Sequence, residues 1–484
     1  MGTELNADIK ERICQAAYAL DARHAPDHTH PLPRHFATSC IALTHTSSSW
    51  RHTALRYAWR TLYIDDTLSN SISSIRTARG FYTRKLWIHV QFRTLTTHYR
   101  RYASTHENTR VQPFCDIALW PQLDDVEIVY AHKCAFPGLA AYLEPRMGRV
   151  RRLTVSGRVP IDMRRSVVLL QSPNIEEIHF RAVPREDDSV SSISSHNDPV
   201  LSLSLAPSVS ALTMTTLVDI RIVRSVLAKA RGQLKRLELI GMTSEQLATV
   251  GVFCQYNAQP NARVWTQLCA LTVRLAVNND ESLVCVHLAA TEFPQLEALA
   301  IVDSPGSKAV PEHPIRMSYD KSFAKQWPRL TYLRLQALSN NDAWAVARFV
   351  PRLSTLRVYS DLYLSSESMP SAAGLWHLLA TAAPLQAVSI SCANAQCAHA
   401  ENDHSKLDFK QLGKNQFVQS ISVPHMVLSS NQALSIWHVC LNLTTFNAGS
   451  KSISLKSEQS SRALWFISTP SQSVARLVNK WLLE

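Results

Sequence analysis

The chain repeats one short pattern of apolar residues twelve times between residues 120 and 450, and this repetition limits the folds that it can adopt. The pattern is apolar-x-x-apolar-x-apolar, as in LDDVEI from Leu123, LTYLRL from Leu330 and LSTLRV from Leu353. The last two apolar positions are two residues apart, which is the period of a β-strand that buries one face. The other copies, of which the last is degenerate, begin at Val150, Ile175, Val209, Leu234, Leu268, Leu296, Leu385, Val418 and Leu443.

Helix-like stretches and prolines occupy the intervals between the predicted strands. Successive copies begin 23 to 34 residues apart. Proline cannot continue a helix but is tolerated where a strand begins. In six copies it stands two residues before the first apolar position, at Pro121, Pro173, Pro207, Pro294, Pro328 and Pro351. Strands that alternate with helices at this period predict parallel strands on a concave face and helices on a convex one. The helices are expected at 220–230, 244–257, 341–350, 371–383 and 431–441.

A small helical unit is predicted ahead of the repeats. Residues 5–20, LNADIKERICQAAYAL, place apolar side chains near helical spacing, with Asn6 as the capping residue. A break rich in proline and histidine follows. A second helical run, HFATSCIALTHTSSSWRHTALRYAWRTL, then leads into the strand-like LYI at 62–64. The sequence thus predicts a helical module joined to a repeat array.

The repeats resemble the leucine-rich repeats of the ribonuclease-inhibitor-like superfamily over roughly residues 81 to 450. The resemblance implies an α/β leucine-rich-repeat solenoid, irregular because such repeats usually take roughly 20 to 29 residues. Val183, Met242 and Leu338 replace the family's Asn or Cys after each strand, which predicts apolar loops. We place the array at 65–460, with a Ser-rich insertion at 184–206 and an amphipathic capping helix at 461–484.

The amino-terminal segment resembles a degenerate F-box, a short helical module that docks on the Skp-family adaptor of cullin ubiquitin ligases. The matching residues are Leu5, Asp8 and Ile9 at its opening and Trp50 and Arg51 at its close. Asn6 stands in place of the family's proline and Ser47 in place of its cysteine, and residues 21–35 form an insertion. The module is therefore expected to span residues 1–64.

Joined to leucine-rich repeats, the F-box resemblance implies the non-catalytic substrate-receptor subunit of an SCF-type ubiquitin ligase. Its partners would be a Skp-family adaptor with its cullin complex and a protein substrate. The residues expected to bind the adaptor are Leu5, Asp8, Ile9, Ile13, Leu43, Trp50 and Arg51. Trp50 also fits a purely structural role, because large aromatic side chains are typical of cores. The alternative function is a repeat scaffold for protein interactions without a ubiquitin-ligase role.

Polar residues between the apolar positions of each strand are expected on the concave face. Two neighbouring copies place arginines and tyrosines there. We expect the substrate to bind at Arg274, Tyr332, Arg334, Arg357 and Tyr359. Planar arginine donors beside rigid aromatic rings suit an acidic or phosphorylated peptide. A merely solvated face is the alternative interpretation.

Charge and apolar content indicate which kinds of partner and cellular location to expect. Fifty Lys and Arg against 38 Asp and Glu give a net charge of +12, which weakly favours acidic partners. An arginine cluster at 146–165 could hold phosphates, but no nucleic-acid-binding module is recognisable, so protein partners are favoured. No apolar run is long enough to span a membrane, and the amino terminus does not resemble a secretion signal. A cytoplasmic or nuclear protein is expected.

No catalytic centre or cofactor is predicted. The chain has no G-x-S-x-G, no phosphate-binding glycine loop and no H-E-x-x-H. One stretch, CANAQCAHAENDH, offers Cys392, Cys397, His399 and His404 as a conceivable zinc set. Their spacing matches no common zinc finger, so no metal site is predicted there.

Overall fold

The structure is a computed structural model of the 484-residue chain. It consists of two compact units, Met1–Gln233 (the amino-terminal unit) and Leu234–Glu484 (the carboxy-terminal unit). The residues that the structure describes are 6–23, 38–65, 82–90, 122–130, 148–157, 171–182, 204–216, 218–252, 264–276, 285–286, 288, 290–303, 316–317, 326–338, 340–360, 375, 377–379, 384–392, 417–424, 440, 442–448, 451–456 and 464–467.

The amino-terminal unit begins with a three-helix module, formed by α1 (Ala7–Arg23), α2 (Thr38–Thr46) and α3 (Ser48–Ala58). Asn6 caps α1 as predicted, because its Oδ1 accepts a hydrogen bond from the Asp8 amide at 3.1 Å. The predicted insertion at 21–35 overlaps the end of α1, and its remainder lies outside the described residues. The core of the module consists of Cys14, Cys40, Ala54, Tyr57 and Ala58.

Six parallel strands follow the module and pair in the order of the chain. They are β1 (Thr61–Asp65), β2 (Lys85–Val90), β3 (Asp125–Tyr130), β4 (Arg152–Gly157), β5 (Glu177–Ala182) and β6 (Ala211–Thr215). The register aligns equivalent positions of the repeats, with Val126 opposite Leu153 and Leu153 opposite Ile178. These side chains are buried, so stacked repeats share one continuous core. Helix α4 (Ile220–Ala230) follows β6, and Asp219 caps it.

The carboxy-terminal unit contains twelve strands, two α-helices and a short 3-10 helix (Ala290–Glu292) among its described residues, besides the helical residues 375 and 377–379. The strands are β7 (Arg236–Met242), β8 (Ala270–Leu275), β9 (Cys285–Val286), β10 (Ala298–Asp303), β11 (Arg316–Met317), β12 (Tyr332–Leu335), β13 (Thr355–Ser360), β14 (Ala387–Cys392), β15 (Ser420–Val423), β16 (Thr445–Ala448), β17 (Lys451–Lys456) and β18 (Leu464–Ile467). The helices are α5 (Ser244–Thr249) and α6 (Asn340–Phe349).

Eight strands of the carboxy-terminal unit form a parallel series in the order β7, β8, β10, β12, β13, β14, β15 and β16. β17 and β18 add to it in antiparallel fashion, whereas β9 and β11 form a separate small pair. Side-chain hydroxyl groups also form hydrogen bonds to backbone carbonyls of the preceding repeat. Thr331 Oγ1 donates to the Glu297 carbonyl at 3.1 Å, and Ser354 Oγ donates to the Thr331 carbonyl at 2.9 Å.

All twelve copies of the repeat pattern lie on parallel strands, which confirms the predicted α/β repeat fold with its small helical module in front. The LYI segment is β1. β2 is not among the predicted strands, although Leu86 and Ile88 align with the two apolar positions of β3. Leu338, which follows β12, is buried, as expected for an apolar loop, whereas Met242 is buried as the last residue of β7 and Val183 lies outside the described residues.

The predicted helices agree with the structure in part. The helix at 220–230 is α4, and α6 begins one residue before its predicted start. α5 ends at Thr249, whereas the prediction extended to residue 257. Residues 375 and 377–379 are helical, and most of 431–441 and 184–206 lies outside the described residues. The range 461–484 contains β18, and the helical pattern at 471–484 lies outside the described residues.

Candidate functional site

The outer face of α1 presents an apolar stripe. Ile9, Ile13 and Leu20 are 45%, 40% and 53% exposed. They are spaced by four and seven residues, so they lie along one side of the helix. The adjacent side of the helix packs inward through Lys10 and Cys14, which are both buried. Large apolar side chains exposed in a row are typical of an interaction surface.

The other residues predicted to bind an adaptor lie in two different environments. Leu43 and Trp50 are half-buried and pack against the core of the module. Arg51 and Asp8 are exposed, and Arg51 Nε donates to the Thr44 carbonyl at 3.4 Å. Leu5 lies outside the described residues. The exposed part of the predicted surface therefore consists of the α1 stripe with polar groups beside it.

Internal contacts keep the three helices in place. The Tyr57 hydroxyl donates to Glu11 Oε1 at 2.5 Å, which ties α3 to α1. Burial raises the pKa of Tyr57 to about 12, and the hydrogen bond that its hydroxyl donates to Glu11 contributes. Burial also raises the pKa of Cys40 to about 12. A thiol with so high a pKa stays protonated at neutral pH, so Cys40 serves as a core residue rather than as a nucleophile.

The module joins the first strand directly. Only Trp59 and Arg60 separate α3 from β1. The hydroxyl of Tyr18 on α1 hydrogen-bonds to Thr61 Oγ1 at 2.7 Å, and the Arg60 guanidinium lies 5.5 Å from the centre of the Tyr18 ring. Thr83 Oγ1 donates to the Trp59 carbonyl at 3.1 Å. These contacts connect the module to the first strands of the sheet.

Four of the five predicted substrate-binding residues lie together on the carboxy-terminal unit. Tyr332 and Arg334 are on β12, and Arg357 and Tyr359 are on the neighbouring strand β13. All four are at least partly exposed, whereas Leu333 and Val358, the residues between the members of each pair, are buried. The side chains therefore occupy the open face of the sheet, as the alternation predicted. We call Tyr332, Arg334, Arg357 and Tyr359 the arginine–tyrosine patch.

Arg274 belongs to a different neighbourhood. It lies on β8, which β10 separates from β12. Arg274 Nε forms a salt bridge with Glu238 Oε1 at 3.0 Å. Its charge is compensated within the protein, so Arg274 does not extend the arginine–tyrosine patch.

The equivalent sheet face of the amino-terminal unit carries a ladder of alternating charge. Lys85, Asp125, Arg152 and Glu177 stand side by side on β2 to β5. Lys85 Nζ is 2.7 Å from Glu127 Oε2 and 3.9 Å from Asp125 Oδ2, and Arg152 Nε is 2.7 Å from Glu177 Oε2. Sequence reasoning missed this ladder, because β2 was not recognised and spacing along the chain does not reveal pairing across strands.

Burial distinguishes this ladder from an open binding surface. Glu127 and Thr154 stand between the apolar positions of their strands, where the concave face was expected, and each is only 3% exposed. His179 hydrogen-bonds to Thr213 Oγ1 at 2.9 Å, and burial lowers its pKa despite the neighbouring Glu177. The described polar side chains of the charge ladder therefore pair mainly with one another.

The other sites considered from the sequence are the arginine cluster and the conceivable zinc set, and the described residues give little support to either. Within the arginine cluster at 146–165, Arg151 lies 3.8 Å from Glu176 and Arg152 belongs to the charge ladder, while Arg146, Arg158, Arg164 and Arg165 lie outside the described residues. No described group of His, Cys, Asp or Glu could hold a metal ion. Cys397, His399 and His404 lie outside the described residues. Among the described helices, none is long and apolar enough to cross a membrane.

Comparison with known proteins gives a distant structural similarity. No family model matches the sequence, and no curated protein matches it. Among solved structures, the chain is similar to the crystal structure of the Rad7 and Elc1 complex in yeast. The two share 11% sequence identity with a TM-score of 0.34, over 75% of this chain and 90% of that chain. Functional proposals for this chain must therefore rest on its own geometry.

Proposed function

We propose that this protein is the non-catalytic substrate-receptor subunit of an SCF-type ubiquitin ligase. The three-helix module would bind a Skp-family adaptor, and the repeats would bind a protein substrate. The observation that carries the proposal is the exposed stripe of Ile9, Ile13 and Leu20 on a module that joins the repeats without a linker. A solvent-exposed apolar row is costly in water unless a partner covers it.

In this role the chain would act by proximity. A receptor that holds a substrate near the ubiquitin-loaded enzyme raises the effective concentration of the target lysine. The direct attachment of the module to β1 supports this, because a bound adaptor would then hold the amino-terminal strands in a defined orientation. The contact between Tyr18 and Thr61 and the packing of Trp59 against the module are the features that would transmit this geometry.

The predicted adaptor-binding residues would have different roles in the interface. Ile9 and Ile13 would enter the apolar part of the adaptor interface, with Asp8 and Arg51 at its polar rim. Leu43 and Trp50 pack against the module core, so they would act by holding α2 and α3 in position. Leu5 remains an expected contact from the sequence pattern.

The substrate would bind on the open face of the carboxy-terminal unit. The arginine–tyrosine patch supports this, because its four side chains are at least partly exposed and it places two cationic arginines on adjacent strands. A cytoplasmic or nuclear location would be consistent with these partners.

Binding of a purified Skp-family adaptor to the full chain tests the proposal. Each isoleucine buried at an interface stabilises it by roughly 1.5 to 3 kcal/mol relative to exposure. Ile9→Ala/Ile13→Ala should therefore raise the Kd for the adaptor at least tenfold. Trp344→Ala is the matched control, because Trp344 is an equally exposed apolar residue, at 52%, in the other unit.

The second candidate is a repeat scaffold that joins partners without a ubiquitin-ligase role. The inward packing of Leu43 and Trp50 favours it, because two of the predicted adaptor contacts are then partly withdrawn from the surface. A folded wild-type chain that binds no adaptor would support the scaffold and eliminate the receptor. Circular dichroism and a cooperative thermal transition would establish that the chain is folded in that experiment.

A further inference from the structure

We propose that Arg334 and Arg357 form a binding site for one phosphorylated serine or threonine side chain of a peptide. The inference rests on the proposed receptor function only in taking the ligand to be a protein. The two arginines are direct cross-strand neighbours in the register of β12 and β13. Adjacent strands lie about 4.8 Å apart, so two guanidinium groups can reach the same anion.

The pairing of like charges is the first argument. Two cations directly opposite each other destabilise a sheet. The other described strands avoid this arrangement, since Lys85, Asp125, Arg152 and Glu177 alternate in sign and Arg274 is paired with Glu238. Among the described residues, neither Arg334 nor Arg357 forms an ion pair. An anion that binds between them would relieve the repulsion.

The surroundings of the pair are the second argument. Its direct register neighbours are Ala300 on β10 and Ser389 on β14, followed by Ser422 on β15. None of the described open-face positions on β10, β12, β13, β14 and β15 is Asp or Glu. An incoming anion would meet hydroxyl groups and small side chains, without a competing carboxylate.

Aromatic packing orients one of the two arginines. The Arg357 guanidinium lies 6.0 Å from the centre of the Tyr332 ring. Contact with an aromatic face restrains a guanidinium while leaving its N–H groups free to donate. Such preorganisation lowers the entropic cost of ligand binding.

Charge balance favours a phosphate group over a carboxylate. A phosphorylated side chain carries about −1.5 to −2 charges and three acceptor oxygens, which match two guanidinium groups. A carboxylate carries one charge and can satisfy only one of them in bidentate geometry. The site should therefore prefer a phosphorylated residue to glutamate at the same position.

Fluorescence anisotropy of the full chain with three labelled peptide pools tests the assignment. The pools share randomised flanks and carry a fixed phosphothreonine, threonine or glutamate at the centre. The phosphothreonine pool should bind at least tenfold more tightly than the other two. Arg334→Gln/Arg357→Gln should abolish that difference, whereas Arg274→Gln, which removes an arginine already paired with Glu238, should preserve it.

Several outcomes would overturn the site. These are equal affinity for the three pools, no binding of any pool by a folded chain, or a phosphate preference that survives the double substitution. Binding of random single-stranded RNA that depends on both arginines, without a preference for phosphothreonine, would assign the patch to nucleic acid instead. The assay contains no adaptor, so a failure of the ligase proposal would leave its result interpretable.

Discussion

The hydroxyl of Tyr18 lies 2.7 Å from Thr61 Oγ1, so the first helix of the module is hydrogen-bonded to the first strand of the sheet. These residues are 43 positions apart in the chain. The contact places the apolar stripe of α1 in a defined orientation relative to the amino-terminal strands. Disturbing it tests whether the module and the strands fold as one body.

We expect Tyr18→Phe and Thr61→Val to be coupled. Each substitution removes one partner of the same hydrogen bond, which typically contributes about 0.5 to 1.5 kcal/mol. The double variant should therefore lose less free energy of unfolding than the sum of the single variants. Urea unfolding of the four proteins measures this coupling, and strict additivity would mean that the contact does not form in solution.

Replacing Tyr57 with Phe should lower stability most below pH 10 and progressively less as the pH rises towards 12. Tyr57 donates to Glu11, and its folded pKa is about 12 against an ordinary value of 10.0. A raised pKa stabilises the folded state fully below pH 10, and this stabilisation is lost as the pH rises from 10 to about 12. Tyr57→Phe should therefore abolish one component of alkaline unfolding.

The measurement for Tyr57 is the unfolding free energy of wild type and variant at pH 8 and at pH 11.5. The difference between the two proteins should be larger at pH 8. The same difference at both pH values would show that Tyr57 titrates normally.

The charge ladder should respond to Asp125→Asn in a direction set by burial. Desolvation raises the pKa of Asp125 more than the nearby Lys85 and Arg152 lower it. The Asp125 contribution to stability is fully present below its ordinary pKa of 3.8 and is lost as the pH rises through the folded value. Asn cannot titrate. The free energy of unfolding of the variant should therefore rise relative to that of the wild type between pH 4 and pH 7.

Denaturant titrations of both proteins at those two pH values test the ladder, because titrations elsewhere in the chain cancel in the difference. Lys85 and Arg152 remain in both proteins. If the free energy of unfolding of the wild type rose relative to that of the variant instead, the ion pairs of Asp125 would affect its pKa more than its burial does.

Truncating a side chain in the core that the stacked repeats share should lower the free energy of unfolding strongly. Leu333 is fully buried on β12 between Leu299 and Leu356 of the neighbouring strands. Leu333→Ala should cost about 2 to 5 kcal/mol of unfolding free energy, because it leaves a cavity in a close-packed row. Thermal unfolding checks this against Trp344→Ala, a half-exposed control in the same unit that should lose less free energy of unfolding than Leu333→Ala.

The amino-acid sequence alone determined the parallel strands and much of their register. Apolar residues at period two can be buried only on one face of a strand, so LDDVEI and its relatives had few alternatives. The arginine–tyrosine patch followed from the same alternation, which places Arg334 and Arg357 opposite the buried leucines. The capping of α1 by Asn6 was likewise local, since it depends on neighbouring residues only.

Only the tertiary structure decided which charges are compensated and which apolar residues are exposed. Arg274 and Arg357 are indistinguishable as arginines on strands, but Glu238 neutralises the first and no described carboxylate neutralises the second. Likewise, the helical pattern of α1 could not separate Ile13, which is exposed, from Cys14, which is buried. Both differences arise from contacts between segments far apart in the chain, and spacing along a single segment carries no information about them.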